Sequence, residues 1–206
     1  MISLKSVVSA VVAFTIVAGF AVSSSFAARA KKAAVSDKGG NQAKVAVSVT
    51  ENIIDAFEAV QGWESYTDNT AKVSFTVVPG KVGKAMEADY DFGTGGWVAF
   101  GKPNDKDFSK VKGIKFWFKG AGSMNTVEMK LQDDDGSEYG VLTAVKSNNK
   151  EWVLVEVPFS QFTYWWGGNQ ELNWTKIVKV HLGISRKDGD EGGAGKATFD
   201  QLELMK

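Results

Sequence analysis

The stretch "GIKFWFKG" alternates strictly, with Ile114, Phe116 and Phe118 on one side and Lys115, Trp117 and Lys119 on the other. Successive side chains of an extended chain point to opposite faces, so this period of two commits the segment to a strand with one buried face. "TVEMKLQ" repeats the pattern, setting Val127, Met129 and Leu131 against Glu128, Lys130 and Gln132. "EWVLVEVPF" and "KIVKVHLGI" do the same. About ten such runs recur, near 52–58, 71–78, 84–92, 96–101, 112–119, 124–132, 138–145, 151–158, 176–184 and 196–205. Asp135-Gly136 and Asp188-Gly189 supply turn pairs between them. Only Phe159 to Thr163 suggests a helical turn, and there is no long amphipathic helix and no internal repeat. Many antiparallel strands, each with one face to hide, predict an all-β fold: an antiparallel β-sandwich, specifically a jelly roll.

The first 50 residues read differently. "MISLKSVVSAVVAFTIVAGFAVSSSFAARA" begins with the charge of Lys5, continues with an apolar core from Val7 to Val22, and offers small residues at Ser25-Phe26-Ala27. That is the order of a secretory signal peptide, expected to span 1–27 and to be cleaved near Ala27, leaving no membrane span. Residues 28–50 carry Arg29, Lys31, Lys32, Lys38 and Lys44 against Asp37, and read as a basic flexible linker. The folded domain is then 51–206, with 18 basic and 23 acidic residues. Its negative balance is the wrong sign for a nucleic-acid groove. A periplasmic or secreted location in a bacterial envelope follows from the leader.

Several chemistries are poorly supported. The chain has no cysteine, so disulfides, thiolate zinc sites and cysteine nucleophiles are excluded. His181 is the single histidine, set between Val180 and Leu182 in a strand, and reads as structural or surface-exposed. No glycine loop joins a strand to a helix as phosphate binding requires. The acidic run "QDDDGSEYG" does not match an EF-hand, because Gly136 at the sixth position would put Leu131 at the first ligand. The expectation is a protein that is not an enzyme.

The aromatics sort by setting. Phe116, Phe118, Phe159 and Phe162 fit a core, and Trp63, Trp152 and Trp174 sit at strand entries beside apolar partners, where packing is expected. The remainder sit in loops or turns: Trp97 in "GTGGWVAFG", Tyr139 beside the acidic turn, and Tyr164, Trp165 and Trp166 in "FTYWWGGNQ", which reads as a loop. Aromatic planes beside glycines and carboxylates suit the apolar face and the hydroxyls of a pyranose, in a cleft of the usual mixed character.

"IIDAFEAVQGW", "AMEADYDFGTGGWVAFG", "VKGIKFWFKGAGSMNTVEMKLQDDDGSEY", "EWVLVEVPFSQF" and "FDQLEL" occur in an order that resembles carbohydrate-binding module family 11 and the domain of complex I intermediate-associated protein 30. The resemblance covers Asn52 to Met205 and implies a galactose-binding-like jelly roll with a glycan cleft on its concave face. It makes Asp135 and Tyr139 counterparts of cleft residues. It leaves Trp97 alone where the family has a Tyr-Trp pair, and it puts Ile184 where a late strand can supply a tyrosine. It also implies a structural calcium ion held by Glu58 and Asp200, with Asp55 a weaker candidate. The expected function is therefore non-catalytic binding of a polysaccharide or oligosaccharide through Trp97, Asp135, Tyr139, Tyr164, Trp165 and Trp166. The alternative is an envelope interaction or assembly protein that turns the same surface to a protein partner.

Overall fold

A computed structural model describes residues 51–206. The leader, its cleavage at Ala27 and the basic segment 28–50 lie outside the described residues. Among those described there are twelve strands and one short 3-10 turn, Phe159–Gln161. The strands are β1 (Ile53–Asp55), β2 (Glu64–Thr67), β3 (Lys72–Pro79), β4 (Lys84–Asp91), β5 (Trp97–Pro103) and β6 (Gly113–Gly122). They continue with β7 (Thr126–Asp133), β8 (Glu138–Lys146), β9 (Val153–Pro158), β10 (Thr163–Trp166), β11 (Ile177–Ser185) and β12 (Ala194–Met205). No described helix is long and apolar enough to cross a membrane.

The strands form two antiparallel sheets in the order β3-β4-β12-β6-β9, with β1 added beside β12, and β10-β8-β7-β11-β5-β2. The alternation in the sequence is what lets them pack. Ile114, Phe116 and Phe118 of β6 and Phe199 of β12 turn inward from the first sheet, and all are fully buried. Phe100, Met129, Leu131, Leu182 and Ile184 turn inward from the second. Phe199 joins the layers: its ring lies 5.3 Å from Phe100 across the sandwich and 5.2 Å from Phe118 in its own sheet. Aromatic edges and faces at this spacing add to the area they bury. The result is the predicted antiparallel sandwich.

Two strands depart from the sequence reading. β2 and β10 lie at the two edges of the second sheet. "FTYWWGGNQ" is thus part strand: Thr163 pairs with Gly140, Tyr164 with Tyr139 and Trp166 with Glu138, and the register shifts between Tyr164 and Trp166. Trp165 is the extra residue of a β-bulge. A bulge resets the alternation, which is why adjacent tryptophans can serve the same face.

Candidate functional site

Cross-strand register decides which side chains share the outer face of the second sheet. Lys130 pairs with Gly140 on one side and His181 on the other, and His181 pairs with Gly101. Glu128 pairs with Leu142 and Gly183, and Gly183 with Ala99. Residues directly opposite one another point the same way. The face therefore presents Glu128, Lys130, Gly140, Leu142, His181 and Gly183, while Val127, Met129, Leu131, Val180 and Leu182 fill the core behind it.

Over this floor lie two hollows of about 720 and 380 Å³, which share Trp97, Lys130 and Trp166 as lining and so form one groove. Trp97 enters from β5 and is 38% exposed; Trp166 enters from β10 and is 48% exposed. The bulge brings Trp165 in beside Trp166, with ring centroids 5.7 Å apart. Trp165 lies directly over Gly140, where a β-carbon would overlap its indole. A glycine is required there for the ring to reach the floor. Lys130 Nζ sits 5.0 Å from the Trp166 ring and 6.0 Å from Trp97, and Lys187 Nζ sits 5.8 Å from Trp165. Cations at these distances are attracted to the faces of the indoles.

The floor is polar and buried. Glu128 accepts a hydrogen bond from Ser185 Oγ at 2.8 Å and lies 3.5 Å from Lys187 Nζ. Glu138 Oε2 lies 3.8 Å from Lys130 Nζ and has no hydrogen-bond partner; neither ring nitrogen of His181 has one either. Burial, reinforced by the charges of Lys130 and Lys179, pushes His181 down to about 3, so the ring is neutral. Burial pushes the Glu138 carboxyl up, against the pull of Lys130 and Lys179. At the β2 edge, Lys179 Nζ donates to Tyr66 Oη at 2.8 Å and Tyr66 Oη donates to Glu64 at 2.6 Å.

The sequence-predicted residues divide into two groups. Trp97, Trp165 and Trp166 meet on the groove. Asp135, Tyr139 and Tyr164 are not among its walls. Tyr139 pairs with the core residue Leu131, and Tyr164 pairs with Tyr139, so both rings lie on the inner side of β8 and β10, 5.7 Å apart. Tyr139 Oη donates to the carbonyl of Gln170, and Tyr164 Oη to that of Gly167. Asp135 accepts from the amides of Ser137 at 2.8 Å and Asn169 at 2.9 Å, tying the glycine loop after Trp166 to the β7–β8 turn. The neighbouring Asp133 carboxyl, with the Ser137 side chain and then its amide after it, holds the Asp135 carboxyl down to about 2. These three residues position the tryptophan strand.

Trp63 and Trp174 pack as expected, Trp63 against Phe57 and Trp174 against Phe159. Trp152 does not: it is half-buried, with Lys119 Nζ 4.8 Å from its ring. The groove residues that sequence reasoning passed over are Glu128, Lys130, Glu138 and His181. Their signal was present in the polar half of each alternating strand.

Asp200 and Glu58 converge on the β3–β4 turn. Asp200 is fully buried; its Oδ2 accepts from Val82 N at 2.8 Å, while Oδ1 has no partner. Glu58 Oε1 accepts from Lys84 N at 3.0 Å and occupies the space a β-carbon on Gly83 would take; the φ of +61° there also suits glycine. Burial, with the nearby Glu58 charge behind it, pushes the Asp200 carboxyl up. An orphaned buried carboxylate oxygen beside a second carboxylate fits a hard cation such as calcium. Asp55 is otherwise occupied, accepting from Phe57 N, Trp63 Nε1 and Lys102 Nζ.

A family model described as "Carbohydrate binding domain (family 11)" matches residues 21–205. Endoglucanase H of Acetivibrio thermocellus is 35% identical over 123 residues, which cover 56% of this chain and 13% of that protein. The family 11 carbohydrate-binding module from Clostridium thermocellum, solved in complex with a β-1,3-1,4-mixed-linked tetrasaccharide, is 25% identical with a TM-score of 0.62. That alignment covers 75% of this chain and 94% of the other. The solution structure of CtCBM11 is 27% identical with a TM-score of 0.63, covering 78% of this chain and 98% of that one. With the sandwich and the tryptophan-walled groove, a match over nearly the whole chain places this protein: it belongs to the family 11 carbohydrate-binding domains.

Proposed function

We propose that this chain is a non-catalytic binding module that lays a β-linked glucan along the groove of the second sheet, stacking sugar faces on Trp97, Trp165 and Trp166. The observation that carries this reading is the convergence of those three indoles over one polar floor. The mixed-linked tetrasaccharide bound by a family 11 module supports the choice of a β-glucan. The family favours a sugar over a protein on this face. A signal peptide ending near Ala27 would deliver the module to the periplasm or the cell exterior, where such polymers are met. Calcium held by Glu58 and Asp200 would pin the β3–β4 turn to the last strand, with main-chain carbonyls and water completing a shell of the usual size.

A stacked sugar face covers roughly 50–100 Å² of ring, worth about 1–2.5 kcal/mol. Loss of one platform then weakens binding about five- to seventyfold. Affinity electrophoresis of the wild type and of Trp97→Ala, Trp165→Ala and Trp166→Ala against mixed-linked β-glucan, xylan, mannan, chitin and peptidoglycan tests the reading. Retardation by β-glucan that weakens in the three variants supports it. Folded variants that keep full retardation would remove the proposed wall.

A further inference from the structure

We propose that Lys130, Glu138 and His181 form a hydroxyl-reading subsite beneath Trp97 and Trp166, and that it selects an uncharged sugar unit. The inference rests on the groove being a glycan site and adds the side chains that discriminate among glycans. All three line the smaller hollow together with both tryptophans. His181 is 5% exposed and Glu138 and Lys130 are each 7% exposed, so water reaches them poorly. Even so, neither His181 nitrogen has a hydrogen-bond partner within the protein, and Glu138 Oε2 has only the longer ion pair with Lys130.

Buried polar groups are almost always satisfied, because an unpaired one loses its hydration with nothing in return. A histidine kept only to fill space would be better replaced by an apolar residue, and the same strand accepts Val180 and Leu182 on its other side. His181 instead lies on the outer face, where it lines the smaller hollow with Glu138 and Lys130. A neutral imidazole donates through one nitrogen and accepts through the other, a carboxylate oxygen accepts, and an ammonium donates. That mixed set suits hydroxyls, which do both.

Charge narrows the choice further. Lys130 and Glu138 already face each other at 3.8 Å, so each charge has its counter-charge within the site. A uronate or sulfated sugar would have to compete with Glu138 for Lys130, and an amino sugar with Lys130 for Glu138. Only a neutral unit leaves the pair intact in a site too dry for water to screen a broken one. Specificity of this kind comes from groups that reject the wrong partner as well as groups that hold the right one.

The test is calorimetric titration of the full chain with four neutral probes and two charged ones. The neutral set is mixed-linked β-glucan tetrasaccharide, cellotetraose, xylotetraose and mannotetraose; the charged set is tetragalacturonate and chitosan tetramer. The expected result is binding of a neutral tetrasaccharide and of neither charged probe. His181→Phe should weaken the neutral probe by about tenfold, the worth of a lost hydrogen bond in a dry site, while the melting temperature holds or rises. Glu138→Gln keeps the shape and removes the charge; it should narrow the preference for neutral over acidic probe by about tenfold. If Trp166→Ala weakens binding while His181→Phe and Glu138→Gln keep wild-type affinity and preference, the subsite is wrong and the groove stands. If His181→Phe lowers the melting temperature without changing affinity, the histidine is structural. Tighter binding of a charged probe by the wild type would overturn the selection of neutral sugars. If no probe binds, the groove reading falls and the subsite with it.

Discussion

Two buried polar clusters in this sandwich have similar burial and opposite bookkeeping of hydrogen bonds. At one end, Asn125 and Ser147 are fully buried and Tyr90 is 1% exposed. Asn125 Nδ2 donates to Tyr90 Oη at 3.2 Å and to the Gly192 carbonyl at 3.1 Å, and Oδ1 accepts from Gly192 N at 2.9 Å. Tyr90 Oη donates to Ser147 Oγ at 3.1 Å, and Ser147 Oγ donates to the Ser123 carbonyl at 2.8 Å. In the groove, His181 and Glu138 are nearly as buried, yet three of their polar atoms have no hydrogen-bond partner. A cluster that serves the fold satisfies itself. One that serves a ligand keeps its bonding capacity open and gives up stability to do so.

That contrast is open to direct attack. The largest effect is expected at the satisfied cluster: Asn125→Ala strands the buried amide and carbonyl of Gly192 and should destabilise by about 3 kcal/mol in chemical denaturation. A loss no larger than that of an exposed substitution would show that hydrogen-bond satisfaction is the wrong measure of a structural cluster.

Asp200 Oδ1 sharpens the comparison, as an orphaned acceptor on the first sheet, apart from the groove tryptophans, that an ion would satisfy. Calcium at one hundred times its dissociation constant should raise stability by about 2.7 kcal/mol, and Asp200→Asn should abolish the gain. Melting curves in excess calcium and after thorough chelation check this; superimposable curves would remove the ion.

Per pH unit, a smaller effect is expected from acid. Folded His181 takes its proton only near pH 3, whereas the unfolded chain takes it near 6.5. Between those values the unfolded state binds more protons, so stability falls as pH drops, by at most about 1.4 kcal/mol per pH unit. Glu138 works the other way, because its raised carboxyl is relieved of a buried charge when protonated. Comparing the wild type with His181→Phe isolates the histidine. The variant should lose the histidine's share of the acid slope between pH 6.5 and 3, leaving the share of carboxylates held low such as Asp135; parallel profiles would show that the ring is solvated.

Much of the fold was legible because ten strands carry an inward apolar series that a period of two exposes. β2 and β10 were not, since "ESYT" and "TYWW" are short edge strands with no buried residue. The sequence therefore showed aromatics at Trp165 and Trp166 without the bulge that puts both on one face. The same parity hid the turning of Tyr139 and Tyr164 to the inner side. Glu128, Lys130, Glu138 and His181 sit at positions that any single strand marks as solvent-facing. Their burial comes from neighbouring strands and from indoles laid across them, which no local pattern records.

The central claim is that the second sheet, and not the first, meets the glycan. The seven tryptophans give that claim seven indole N–H reporters in a two-dimensional NMR titration with mixed-linked β-glucan tetrasaccharide. The account predicts that the signals of Trp97, Trp165 and Trp166 shift. Trp63 and Trp174, packed against phenylalanines, and Trp117 and Trp152, capped by Lys81 and Lys119, should stay in place. Shifts at Trp117 and Trp152 with the three groove indoles unmoved would contradict it.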